Sequence, residues 1–145
     1  MKNSYCPKPL FIVGCPRSGT TLLQEMLNAH HEIALGPELF FIRMIYHKRK
    51  KFGDLSIRKN RRMVGETIIT LNNFTEFGFE KKEFLDWIKE NNVDYGDIYR
   101  RILEQLDKKH KVKYIGVKTP NNMLYIKEII NLIPDAQFIN IIRDP

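Results

Sequence analysis

The stretch Pro9–Glu38, PLFIVGCPRSGTTLLQEMLNAHHEIALGPE, limits what this chain can become more than any other. An apolar run, Leu10–Val13, stops at a turn of small and special residues, Gly14-Cys15-Pro16-Arg17-Ser18-Gly19. Two hydroxyl residues follow, Thr20 and Thr21, and then Leu22, Leu23, Met26 and Leu27 fall on one stripe of a helix. Strand, glycine loop and helix in that order describe a phosphate cradle. The loop amides converge on an anion, and the helix N-terminus adds free N–H donors and the positive end of its dipole. Gly14 and Gly19 suit such a loop because a Cβ would obstruct the turn or the approach of the phosphate.

The loop is close to a nucleoside-triphosphate loop and departs from it in one informative place. Gly14 and Gly19 have the spacing of G-x-x-x-x-G-K-[ST], but Thr20 stands where the lysine belongs. That lysine neutralises the β- and γ-phosphates, so its absence argues against ATP or GTP hydrolysis and against a nucleotide kinase. The cation lies inside the loop instead, as Arg17. A cysteine phosphatase is excluded as well, since Thr21 and not an arginine stands six positions after Cys15.

The rest of the chain reads as α/β. Ile33-Ala34-Leu35 has the form of a short second strand, and Gly36-Pro37 turns the chain to Glu38 and a buried helix over Leu39–Ile45. From His47 to Asn60 the pattern decays into charge, as in a loop or flap. Helical spacing returns in Met63–Asn73, in Glu80–Asn91, and from Ile98 to Lys109, where Asp94 or Asp97 caps the last helix. Lys113–Lys118 reads as a buried strand. Thr119-Pro120 opens a helix, with Thr119 as its cap, and Leu124, Ile126, Ile129, Ile130 and Ile133 as its apolar positions. Gln137–Ile142 is a further strand. Strand, helix, strand without hairpin signals means parallel pairing by right-handed crossover. Ligands of such sheets bind at the carboxyl ends of the strands, which places the Gly14 loop, Lys118 and Arg143 on one edge.

A chain of 145 residues is one domain's worth, and its composition, 43% hydrophobic and 28% charged, is that of a soluble globular protein. No apolar run approaches the roughly 20 residues of a membrane span. With two cysteines, Cys6 and Cys15, and no apolar leader at MKNSYCPKPLF, a reducing cytoplasm is the expected setting. Eight basic residues lie between Met44 and Met63 (Lys48, Arg49, Lys50, Lys51, Arg58, Lys59, Arg61 and Arg62) against the single acid Asp54. That surplus equals the whole chain's formal charge of +7. It fits a solvated face or a docking surface for a polyanion. Phe52 is the one aromatic residue between Lys48 and Arg62, too few for base stacking, so nucleic acid is not an expected partner.

The motif Pro16-Arg17-Ser18-Gly19-Thr20-Thr21 resembles the 5′-phosphosulfate loop of the sulfotransferases that use 3′-phosphoadenosine-5′-phosphosulfate (PAPS). Ala29-His30-His31-Glu32-Ile33 and Gly36-Pro37-Glu38 are similar to the same family, nearest to its tyrosylprotein-sulfotransferase-like and bacterial members. The likeness resumes at Gly116-Val117-Lys118-Thr119-Pro120 and at Phe138–Pro145. It implies a P-loop-like parallel sheet flanked by helices, a single domain over residues 1–145 with a variable, mostly helical insertion over about 44–111, and PAPS as donor substrate. Family members continue past the Arg143-Asp144-Pro145 motif with a serine that shares the 3′-phosphate and with more helices, so the resemblance implies the N-terminal portion of a longer protein.

Carried onto this sequence, the family pattern gives Arg17, Ser18, Gly19, Thr20 and Thr21 to the 5′-phosphosulfate and Arg143 to the 3′-phosphate. Lys118, at a strand end on the same edge, is placed to stabilise the bridging oxygen as charge builds there. Glu38, which follows a Gly-Pro turn beside an apolar run, is by the same resemblance the base that takes the acceptor's proton. His30 and His31 are rival bases, although a histidine at a helix end serves as well in capping or packing. The sequence offers no carboxylate cluster for a metal, and none is expected. The acceptor is open among protein, glycan, lipid and small-molecule hydroxyls or amines. The alternative is a non-catalytic module of the same fold that binds anions or polyanions.

Overall fold

The computed structural model describes residues 6–107 and 111–143. Four parallel strands form its sheet: β1 (Lys8–Gly14), β2 (Ile33–Gly36), β3 (Tyr114–Lys118) and β4 (Gln137–Ile141), in the order β2-β3-β1-β4. β1 lies inside, and from Pro9 to Gly14 every residue of it is buried. Its run of apolar side chains is therefore explained by burial on both faces, as in parallel sheets generally. Phe11 and Val13 look into a large core; Leu10 and Ile12 look into a smaller one with Leu35.

The large core is roofed by helices α2 (Phe41–Met44), α3 (Arg49–Phe52), α4 (Arg58–Ile68), α5 (Lys81–Glu90), α6 (Tyr95–Glu104) and α7 (Ile126–Leu132). Short 3₁₀ turns at Tyr46–Lys48, Phe74–Phe77 and Pro120–Tyr125 join them. Aromatic rings fill the layer between helices and sheet. Tyr99 stacks on Phe41 at 4.4 Å between ring centres and tilts against Phe11 at 5.7 Å. Burial pushes the Tyr99 hydroxyl far above the ordinary phenol range, and the amide of Asn122 draws it only part of the way back. α6 begins with a reciprocal cap in which Asp94 and Asp97 each accept the other's backbone N–H, so both expected capping residues take part. The helix ends at Glu104, short of the expected end at Lys109, a residue that itself lies outside the described ones.

Two sequence expectations are corrected. On helix α1 (Thr20–Asn28), Leu23 and Leu27 pack on the smaller core, but Leu22 and Met26 are 67% and 64% exposed. Thr20 and Gln24 are buried in their place, because the helix turns an amide face to the edge of β2. The stretch His47–Asn60 is not a flap. It contains α3 and the start of α4, and a buried arginine ties it down. Arg61 donates to the carbonyls of Leu55 (2.7 Å), Ser56 (2.9 Å), Ile88 (3.1 Å) and Lys89 (3.0 Å), the last two near the end of α5. An arginine fork satisfies several carbonyls that a helix end leaves without donors.

The basic segment is accordingly less free than its composition suggests. Arg58 pairs with Glu90, Arg62 with Glu66, and Arg49 lies 4.4 Å above the Tyr46 ring. Among the described residues no helix is long and apolar enough to cross a membrane. Arg61→Met keeps the aliphatic stem and removes the donors. It should lower stability by about 3 kcal/mol, because buried carbonyls lose charge-assisted partners. The shift of the urea midpoint at unchanged slope measures this, and a loss below about 0.5 kcal/mol would show that the fork is dispensable.

Candidate functional site

The site is assembled at the carboxyl edge of the sheet. β1 ends in Gly14, which pairs with Ile141 of β4 at a φ of +149°. A Cβ there would stand 2.7 Å from the Ile141 carbonyl oxygen, so glycine is required by the close approach of two strands. The loop then closes tightly. Ser18 N–H donates to Cys15 O at 3.3 Å, Arg17 takes a left-handed φ of +66°, and Gly19 one of +93°. No side chain caps α1. Its first hydrogen bond runs from Leu23 N–H to Gly19 O, so the amides of Thr20, Thr21 and Leu22 have no acceptor among the described residues. These are donors that a bound anion would satisfy.

Arg143 comes to the same loop from far along the chain. Its Nη1 donates to the backbone carbonyl of Arg17 at 3.4 Å, across 126 positions of sequence. β4 pairs beside β1, and the chain leaves it next to the loop. Arg17, Ser18, Gly19, Thr20, Thr21 and Arg143 are therefore neighbours in space. Asp144, the adjacent acid with which a strand-end arginine can also pair, lies outside the described residues.

The second half of the site is built on β2 and β3. Asn28 clamps the outer edge of β2, accepting from Leu35 N–H at 2.7 Å and donating to Leu35 O at 2.9 Å. One turn earlier, Gln24 donates to Gly36 O at 2.8 Å. These two amides do for β2 what a further strand would do. Beyond Gly36-Pro37, Glu38 meets Lys118, the last residue of β3, and Lys118 Nζ donates to Glu38 Oε1 at 2.6 Å. The lysine side chain is 10% exposed and the glutamate 34%. Lys118 also pairs in register with Ile12 of β1, which sets it one strand away from the glycine loop. The pair borders an open cleft of about 590 Å³ whose walls include Gln24, Asn28, Phe40, Asn73, Glu38 and Lys118.

Thr119 is not the helix cap that its position before Pro120 suggests. It makes no side-chain cap bond to the Pro120–Tyr125 turn. Its fully buried hydroxyl accepts from Leu39 N–H at 3.1 Å, while its own N–H donates to Ile12 O at 3.2 Å. Thr119 thus joins β1, β3 and the segment carrying Glu38 at one point. A 3₁₀ turn leaves its early donors less dependent on a cap than an α-helix would, and the Leu39 amide takes the hydroxyl instead. His30 and His31 lie at the other end of the sheet. They precede Ile33, which pairs with the first residue of β3, and their rings stack on each other at 4.7 Å, away from Glu38 and Lys118.

Two residues of the site's framework, Gln24 and Asn28, carry no role in the sequence, and Thr119 carries a different one there. Gln24 and Asn28 sit four apart on α1, a spacing that puts both amides on one face. That is the signal that could have found them. Among the described residues no three His, Cys, Asp or Glu side chains are grouped to hold a metal ion. Thr119→Val keeps the shape, strands the buried Leu39 amide and should cost about 1–3 kcal/mol, whereas Thr119→Ser should recover most of it. Thermal unfolding of the two variants measures this, and equal melting temperatures for valine and serine would remove the hydroxyl's structural role.

Comparison with known proteins agrees with this architecture. The model of the Sulfotransferase family matches residues 9–145. Protein-tyrosine sulfotransferase A of Caenorhabditis elegans is 31% identical over 136 residues, which cover 93% of this chain and 30% of that protein. Nodulation protein NoeE of Sinorhizobium fredii is 27% identical over 147 residues, covering all of this chain and 31% of its own length. The chain therefore spans less than a third of these two relatives. The matched range includes the glycine loop, the Glu38–Lys118 pair and Arg143, and on that extent the chain belongs to the sulfotransferase family.

Proposed function

We propose that this chain is the donor-binding part of a sulfotransferase that moves a sulfuryl group from PAPS to an acceptor hydroxyl or amine. The observation that carries this reading is the pairing of Lys118 with Glu38 beside a loop whose amides have no acceptor among the described residues and which two arginines adjoin. One edge of the sheet thus holds a cradle for an anion, a cation for a leaving oxygen and a carboxylate for a proton.

In the reaction this arrangement suits, the acceptor oxygen or nitrogen attacks sulfur in line with the bridging oxygen of the donor. A bond from acceptor to sulfur forms as the bond from sulfur to the bridging oxygen breaks. The acceptor's proton passes to Glu38, and the bridging oxygen leaves on the nucleotide 5′-phosphate with its new charge facing Lys118. The products are a sulfated acceptor and adenosine 3′,5′-bisphosphate. The loop amides with Arg17, Thr20 and Thr21 hold the 5′ group, which fixes the line of attack. Arg143 takes the 3′-phosphate, the group that separates this nucleotide from ordinary adenylates.

Calorimetry tests the donor. Adenosine 3′,5′-bisphosphate should bind at least tenfold more tightly than adenosine 5′-monophosphate. Arg143→Ala should erase that margin, and Arg17→Ala should weaken both ligands by about 10–100-fold, the worth of a charge-assisted contact. Binding of ATP with magnesium as tightly as the bisphosphate would end the proposal. In a transfer assay, Glu38→Gln should slow the chemical step by about 10²–10⁴-fold, the usual contribution of a general base. An unchanged rate would remove Glu38 from that role.

A further inference from the structure

We infer that the Glu38–Lys118 ion pair is a lock on the base which the donor opens, so that the acceptor is activated only after the nucleotide has bound. The inference rests on the donor reading above and adds to it an order of events.

In this structure the two groups assigned to opposite ends of the reaction hold each other. At 2.6 Å, Glu38 Oε1 occupies the Lys118 ammonium, and among the described residues no other acceptor contacts that ammonium. With Lys118 only 10% exposed, water screens the pair less than it would a surface bridge. While the pair lasts, one carboxylate oxygen is committed to the ammonium rather than to an acceptor's proton. The lysine charge, in turn, is compensated and attracts a second anion weakly.

A phosphosulfate seated in the glycine loop puts a negatively charged oxygen one strand away from Lys118, since Ile12 and Lys118 are in register. That oxygen and Glu38 then compete for one ammonium. When Lys118 turns to the donor, Glu38 is left charged, unpaired and open to the cleft that an acceptor must enter. Little else has to move. Thr119 holds the Leu39 amide and Gln24 holds Gly36, so the backbone on both sides of Glu38 is anchored independently of its carboxylate. The exchange needs only side-chain rotation.

Competition and release are one free energy seen from two sides. If the donor must displace Glu38, removing the carboxylate's charge must strengthen donor binding. The probe is adenosine 3′,5′-bisphosphate, whose 5′-phosphate stands in for the leaving oxygen. It is titrated calorimetrically into the wild type, Glu38→Gln, Lys118→Met and the double variant. Glu38→Gln should bind about tenfold more tightly than wild type, a coupling of ordinary size between two sites. Lys118→Met should bind more weakly, and adding Glu38→Gln to it should change nothing further. Glu38→Ala provides a second variant in the same direction should the glutamine chain fold poorly. Equal or weaker binding by both Glu38 variants overturns the lock. So does tightening that persists without Lys118, which would reflect general charge rather than the pair. If wild type binds no bisphosphate at all, the donor reading falls first and the lock falls with it.

Discussion

β1 has no exposed face beyond its first residue, and the site hangs on that fact. A strand buried on both sides cannot shift in register without moving its apolar side chains from one core to the other. Phe11 and Val13 are committed to the helical layer, and Leu10 and Ile12 to the space under α1. Its neighbours inherit this rigidity. β3 is placed so that Lys118 lies opposite Ile12, and β4 so that Ile141 lies against Gly14. The glycine loop, the lysine and the arginine are thus set by backbone pairing before any side chain chooses a rotamer. Sites that need sub-ångström placement gain from being carried on such elements.

Much of this was legible from the amino-acid order, and the reasons differ from part to part. The apolar run before Gly14 and the alternation of strand and helix near the C-terminus signal a parallel sheet by period and length alone. The edge on which Lys118 and Arg143 appear follows from the same topology. What stayed hidden depends on contacts between distant residues. Thr119 looks like a helix cap because caps are local, whereas its real partner, the Leu39 amide, is 80 positions away. Arg61 looks like one more solvated charge in a basic run, and nothing nearby in sequence announces the carbonyls of Ile88 and Lys89 that surround it. Leu22 and Met26 continue an apolar stripe on paper, but the amides of Gln24 and Asn28 had a stronger claim on the sheet.

The charges at the carboxyl edge are arranged as rivals rather than as a simple basic pocket. Arg143 spends a hydrogen bond on the loop's own carbonyl, and Lys118 spends its ammonium on Glu38. Both cations are thereby held in place without a ligand, and neither is left buried and unpaired, which would be costly. An arriving anion must therefore compete with these partners for the two cations. In the proposed exchange, the resting arrangement of the side chains differs from the working one.

The amide clamp of Gln24 and Asn28 also gives the sheet a finished flank and an unfinished one. At β2, the N–H and C=O of Leu35 and the C=O of Gly36, which would otherwise invite another strand, are already occupied by α1. At β4, the outermost strand on the other side, no comparable cover is present among the described residues, and Phe138, Ile139 and Ile141 are only partly buried. Growth of the sheet is therefore directional: additional backbone can be accommodated beside β4, adjoining the mouth of the glycine loop, and is turned away at the flank that carries Glu38.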